Sequence, residues 1–384
     1  MLRSLSDIDR STVANDPRPS ASFSARKNPQ CIPANTPPVF PGLRPRIWPH
    51  LLRFVTTGNV GQAPGVYAMF SRLCLLAVIS LQSGCITVNL IEPSGPVQEA
   101  HLSGTGEGKV LLLDLSGVIS SQDKDGIVPQ PNMLATFKEE LTRASKDDRI
   151  KAVVVRINSP GGTVTASDIL YHELREFKSK KKVPVIASMM DVAASGGYYL
   201  AMAADSILVH PSTVTGSIGV IMLTVNARGL LEKVGVEANA ITSGPRKDMG
   251  SPFRVMTPEE RGIFQSVIDS FYHRFLAVVQ EGRPNLSPDQ IKKLADGRIY
   301  SGDQAKAAGL IDEIGYLDDA IEMAKKKAGL TEARVVTYAR RGEYQNNIYS
   351  RLFGTSSGIA GLANLDLLSM VRGGTPQFMY LWMP

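Results

Sequence analysis

A chain of 384 residues with 43% hydrophobic and 20% charged residues can build one large or two ordinary domains without a disulfide framework. Its mean hydropathy of −0.03 excludes both a polytopic membrane protein and a disordered chain. The net charge of +6 belongs to the N-terminal part: residues 1–68 carry eight Lys/Arg against Asp7, Asp9 and Asp16, Arg72 adds one more, and from position 85 onward 33 basic residues face 33 acidic ones. A neutral body has no nucleic-acid footprint.

The first segment, 1–68, holds ten of the 24 prolines and shows neither helical nor strand periodicity. It reads as a disordered leader, or as sequence ahead of a true start at Met69. Residues 69–85 then place Arg72 before an apolar run over 73–81 and end in Ser83-Gly84-Cys85. A spanning helix needs ~20 apolar residues, so this run reads as a short export signal. Its ending resembles a bacterial lipoprotein signal, which would make Cys85 the lipidated residue. Gln82 stands where such signals carry Leu, Val or Ile, so a plain cleaved signal and an uncleaved anchor stay open. Each reading sends the body to the extracytoplasmic side of the membrane. Residues 86–108, rich in Gly and Ser, read as a flexible tether.

From 109 the pattern changes to alternating strands and helices. The apolar run 109–115 predicts a strand, and Leu134, Phe137 and Leu141 give 135–145 a helical face. The β-branched run 150–157 suits a strand buried on both sides and ends in Asn158-Ser159-Pro160-Gly161-Gly162. A helix over 166–178, a strand over 183–189, a turn at Ala193-Ala194-Ser195-Gly196-Gly197 opening a helix to 204, and a strand over 206–209 follow. That alternation means an α/β domain with crossover connections, 109–338, and one catalytic unit. Thr257-Pro258-Glu259-Glu260 starts a structural helix whose apolar face is Phe264, Ile268, Phe271 and Phe275. The tail, 339–384, ends in Phe378-Met379-Tyr380-Leu381-Trp382, too apolar to be left in water. It packs on a neighbouring subunit, enters a groove, or folds back on its own domain.

Two glycine turns thus sit at the carboxyl ends of successive strands, where open α/β sheets place their ligand sites. Gly161 and Gly162 can bring backbone N–H groups close to a carbonyl oxygen, and Ser195 stands forward at a strand-to-helix turn. A plain helix-start serine is the bland alternative. A serine nucleophile needs a base, and the candidates are His210, at the end of a strand, and Lys247, in a polar loop. A lysine serves at neutral pH only where desolvation in an apolar cleft lowers the ordinary ammonium pKa of ~10.4. Of the other histidines, His50 lies in the leader, and His101, His172 and His273 have no motif around them. The three cysteines, Cys31, Cys74 and Cys85, all precede the body, so no disulfide, zinc site or cysteine nucleophile is expected there. Neither glycine turn ends in the Lys-Ser/Thr of a phosphate loop.

From 109 to 330 the chain resembles the short, single-repeat signal peptide peptidase A family, serine/lysine peptidases with the fold of Clp protease and the crotonases (enoyl-CoA hydratases). The resemblance rests on Arg-Ile-Asn-Ser-Pro-Gly-Gly (156–162), Asp-Val-Ala-Ala-Ser-Gly-Gly-Tyr-Tyr (191–199), Thr-Gly-Ser-Ile-Gly-Val (215–220), Ser-Gly-Pro-Arg-Lys-Asp-Met-Gly-Ser-Pro (243–252) and Asp-Gly-Arg-Ile-Tyr-Ser-Gly (296–302). It implies Ser195 as nucleophile, Lys247 as general base, Gly162 and Gly196 as the oxyanion hole, and Ser217 orienting the lysine. It also implies apolar peptides such as remnant signal peptides as substrates, no metal or cofactor, and a homo-oligomer in which the serine of one subunit meets the lysine of the next. Met189, Met190, Val192 and Tyr198 are candidates for an apolar cleft or for sheet core. A Clp-like serine/histidine peptidase using His210, a crotonase-fold acyl-CoA enzyme and an inert envelope scaffold are the rival readings.

Overall fold

The structure is a computed structural model that describes residues 95–122, 131–340, 346–350 and 377–383. All of them lie in the second of the chain's two compact units, Val88–Pro384. The leader, the export signal with Cys85, the first part of the tether and most of the tail lie outside the described residues.

The core sheet is laid down by β1 (Gln98–Ser103), β2 (Lys109–Ser116), β3 (Ile150–Ser159), β5 (Val185–Ala194), β6 (Ser206–Val209), β10 (Glu313–Ile314) and β11 (Arg334–Ala339). Their order across the sheet is β1-β11-β2-β3-β5-β6-β10. Every neighbouring pair is parallel except β1 with β11. Parallel strands need crossovers, and these are α1 (Met133–Ser145), α2 (Val164–Lys181), α3 (Gly196–Ala201), α7 (Gly302–Ala307) and α8 (Leu317–Lys327). Helices cover both faces, which is why the central strands read as unbroken apolar runs. Along β2, Leu111, Leu113 and Leu115 face one core with α1, α2 and α3, while Val110 and Leu112 face another with Leu317, Ile321 and Ala324 of α8.

The region of 86–108 differs from the expected tether. Residues 98–103 form β1, an edge strand paired antiparallel with β11. The reason is electrostatic as well as hydrogen-bonded. Lys109, 1% exposed, needs partners for its buried ammonium, and β1 supplies Glu99 at 2.6 Å beside Asp147 at 2.7 Å.

The long helix α5 (Pro258–Gly282) begins as the sequence predicts, with a reciprocal capping box between Thr257 and Glu260. It is followed by α6 (Pro288–Leu294), while α4 (Arg228–Lys233) lies in the preceding arm, 223–256. A second, small sheet holds β4 (Gly161–Thr163), β8 (Ile221–Met222) and β12 (Phe378–Leu381), with β12 in the middle. The end of the tail therefore folds back on its own chain, beside the first glycine turn.

Candidate active site

The site begins with the length of β5. Its first half pairs with β6 and its second half, Val192 to Ala194, pairs with β7 (Val214–Gly216). This carries the strand past the polar break at Asp191 and delivers Ser195 at its carboxyl end, beside the turn that follows β3. β7 is backed in turn by β9 (Ile299–Ser301).

Ser195 is held in an unusual backbone conformation, φ 51° and ψ −113°, and its side chain makes no capping hydrogen bond to α3. An ordinary N-cap serine has extended backbone and spends its oxygen on the helix. This one does neither, although it stands at the start of α3. A non-glycine residue at positive φ persists only where its surroundings hold it. Here the Ser195 N–H donates to Gly216 O at 2.7 Å, and its carbonyl accepts from Tyr199 N at 2.8 Å.

The two glycine turns touch. A side-chain carbon on Gly161 would lie 2.7 Å from Gly196 N, and one on Gly196 would lie 3.2 Å from Gly161 Cα and 2.4 Å from Ser167 Oγ. Only residues without a Cβ allow this approach, and it sets Gly196 N against the first turn, next to Ser195. Gly162 is fixed from behind by a bridge to Ile119. Its missing Cβ would stand 1.8 Å from Ile119 O. Preorganised N–H groups at such turns can bind a developing oxyanion.

Ser217 sits at the other wall, also at positive φ (49°), with its N–H on Arg298 O at 2.8 Å. It borders a cavity of about 360 Å³ that it shares with Ile221, Tyr272 and Leu381 among others. Lys247 is exposed, and among the described residues no hydrogen bond or ion pair engages its side chain. Its backbone N–H donates to Gly244 O at 3.1 Å. Among the described residues no hydrogen bond joins Lys247 to Ser195, which is buried. None joins His210 to it either: that ring lies edge-on to Tyr316 at 4.9 Å, and its Nδ1 is 2.8 Å from Ser212 Oγ.

Of the four cleft candidates, Met189 and Tyr198 are fully buried in the sheet core, and the Tyr198 hydroxyl donates to Leu310 O at 2.7 Å. Met190 and Val192 are half-buried. The aromatic wall near the site comes instead from Tyr199, whose ring meets Tyr171 at 5.3 Å and Phe275 at 5.0 Å. Burial, and then the hydrogen bond from its hydroxyl to Asp168, push the Tyr199 pKa well above the ordinary phenol value. Arg274 holds the same Asp168 oxygen at 3.1 Å. The sequence signal for this cluster was the paired Tyr198-Tyr199, of which only the second faces the site.

The parallel sheet with its crossover helices defines a Clp protease/crotonase-like α/β domain, with a serine at positive φ beside two glycine turns. The family model of Clp protease matches residues 130–213, and that of peptidase family S49 matches residues 177–331. An Enterococcus faecium protein described as "Putative signal peptide peptidase SppA" is 38% identical over 242 residues, 63% of this chain and 70% of that protein. The Synechocystis protein "Putative protease slr0021" is 40% identical over 227 residues, 59% of this chain and 77% of that one. The Arabidopsis thaliana protein "Serine protease SPPA, chloroplastic" is 33% identical over 275 residues, 70% of this chain and 40% of that one. The chain belongs to peptidase family S49, and it is a serine peptidase.

Proposed function

We propose that this peptidase works with a serine/lysine pair, Ser195 attacking a peptide carbonyl while Lys247 takes its proton. The acyl group passes to the serine oxygen, the amine leaves with the proton, and water then hydrolyses the ester. Gly162 and Gly196 donate N–H groups to the tetrahedral oxyanion, and Ser217 orients the lysine ammonium. The observation that carries this reading is the Ser195 turn: φ 51° with the hydroxyl released from any capping role.

Lys247 is supplied by a neighbouring subunit in this reading. Support comes from its exposure in the single chain and from the arm around it, which leaves Leu230, Val234, Val236, Ile241, Phe253 and Val255 in water. A monomer rarely exposes so much apolar surface without a partner. Burying the arm against a second copy would also desolvate the lysine, as a base requires.

The substrates are apolar peptides at the membrane surface, remnant signal peptides among them. The name of the Enterococcus relative and the export signal read in 69–85 support this. Among the described residues no helix is long and apolar enough to cross a membrane. In this reading 69–85, with Cys85 as the lipidated residue, holds the body at the surface on the extracytoplasmic side.

A fluorophosphonate probe tests the nucleophile directly. Peptide mapping is expected to find the adduct on Ser195 and to lose it in Ser195→Ala. An adduct on another serine, with Ser195 unmodified, would overturn the assignment.

A further inference from the structure

β5 reaches Ser195 through a break in its own ladder. It pairs with β3 from Val153–Val185 to Ile157–Met189 and then only at Ser159–Ala193. One residue of β3, Asn158, thus stands opposite Met190, Asp191 and Val192 of β5, a bulge that re-aims the strand just ahead of the serine. On its other side β5 leaves β6 at Met189–Val209 and picks up β7 at Val192–Val214. The bulge is therefore unpaired by main chain on both edges.

Backbone groups released from a ladder must find other partners, and here side chains supply them. Asn158 Oδ1 accepts the Val192 N–H at 3.1 Å, and the Asn158 amide donates to Asp191 Oδ2 at 3.3 Å. From the opposite edge the Thr213 hydroxyl donates to Met190 O at 2.6 Å, and the Thr215 hydroxyl to Ala193 O at 2.7 Å. Both threonines are fully buried, so their bonds are shielded from water. The link between β6 and β7 is folded over the bulge to bring Thr213 there: His210 N donates to Met189 O at 3.1 Å, and Thr213 N to His210 O at 2.9 Å.

We infer that Asn158 and Thr213 are positioning residues for the peptidase reaction: they brace the β5 bulge from its two edges and so set the place of Ser195 against the glycine turn that follows β3. This rests on the assignment of Ser195 as nucleophile with Gly162 at the oxyanion. Asn158 ties the two strands together where their main chains do not pair. It belongs to the strand that ends in Gly161-Gly162, and Val192 to the strand that ends in Ser195. Without the Asn158 bond the Val192 N–H loses its partner, the bulge relaxes and the serine moves with it. A displacement of about 1 Å at the reacting atoms is enough to cost about a hundredfold in rate. Neither residue is among those that border the cavity beside Ser217, so the loss falls on kcat and leaves KM in place.

The test measures hydrolysis of a fluorogenic apolar peptide, and the rate of labelling by a fluorophosphonate, for wild type, Asn158→Ala, Thr213→Val, Thr213→Ser and the double variant Asn158→Asp with Asp191→Asn. Rates are taken per labelled site and well below each melting temperature, so that lost folded protein does not count as lost rate. Asn158→Ala and Thr213→Val are each expected to lower kcat by about tenfold to a hundredfold with KM within about twofold, and to slow labelling in proportion. Thr213→Ser keeps the hydroxyl. The double variant keeps an acceptor for the Val192 N–H and restores the second bond with donor and acceptor exchanged. Both are expected within about threefold of wild type. Unchanged kcat and labelling in Asn158→Ala or in Thr213→Val would overturn the inference, and so would a double variant as slow as Asn158→Ala. Should Asn158→Ala fail to fold, equal rates in Thr213→Val and Thr213→Ser overturn it instead. Peptide mapping of the adduct separates the two levels. An adduct away from Ser195 in wild type overturns the nucleophile assignment, whereas an adduct on Ser195 with rates unchanged across the variants overturns the brace alone.

Discussion

Tyr380 and Gly162 face each other across an antiparallel pair, although 217 intervening residues separate them in sequence. That pairing joins β12 to the glycine turn that packs against Gly196, the residue after Ser195. The glycines are required by packing, and the proposed mechanism gives them a chemical part as well.

Gly162→Ala puts a methyl carbon 1.8 Å from the Ile119 carbonyl oxygen, a backbone atom that cannot rotate away. Overpacking of this kind costs about 1–3 kcal/mol. Chemical denaturation is expected to show that loss together with near-complete loss of peptidase activity. Full activity in this variant, which keeps its backbone N–H, would mean that the close packing of Gly162 on Ile119 is not what positions the oxyanion site.

Ser195→Ala and Lys247→Ala are each expected to be inactive alone. If sites are shared, subunits of the two mixed in equal amounts and reassembled regain about a quarter of the wild-type activity by random assortment. No recovery after verified mixing would assign both groups to one chain.

Acid sensitivity is expected at the edge of the sheet. Partial burial of Asp147 works against its charge, but hydrogen bonds from Lys109 and from the Arg149 backbone outweigh it and bring the carboxyl from 3.8 to about 2. A lowered folded pKa contributes stability that is fully present well above 3.8 and is lost as pH falls through about 2. Melting temperatures from pH 7 down to 2 are expected to fall less steeply for Asp147→Asn than for wild type, from a lower starting value. Parallel curves would remove the Lys109–Asp147 pair from the acid response.

Much of the frame was legible in the sequence because β2, β3, β5 and β6 are buried on both faces and leave unbroken apolar runs. The capping box at Thr257 and Glu260 was readable for a similar reason: it is local. Strands of two or three residues such as β4, β7 and β8 carry no periodicity, so they escaped. β1 escaped because its edge position leaves Gln98, Glu99 and His101 exposed, a polar pattern that resembles a tether. The glycine turns and Ser195 were readable as a motif, whereas the aromatic pocket depends on α5 and the tail meeting α3, contacts more than 70 residues apart in sequence. The exposure of Lys247 agrees with its place in a polar loop, but a loop sequence does not say what the lysine meets.

The most direct measurement is hydrolysis of a fluorogenic apolar peptide across pH 6 to 10 by wild type, Ser195→Ala, Lys247→Ala and His210→Ala. Activity is expected to vanish with Ser195 and with Lys247 and to survive in His210→Ala, whose ring is engaged by Ser212 and Tyr316. Loss in His210→Ala with survival in Lys247→Ala would contradict the serine/lysine pair.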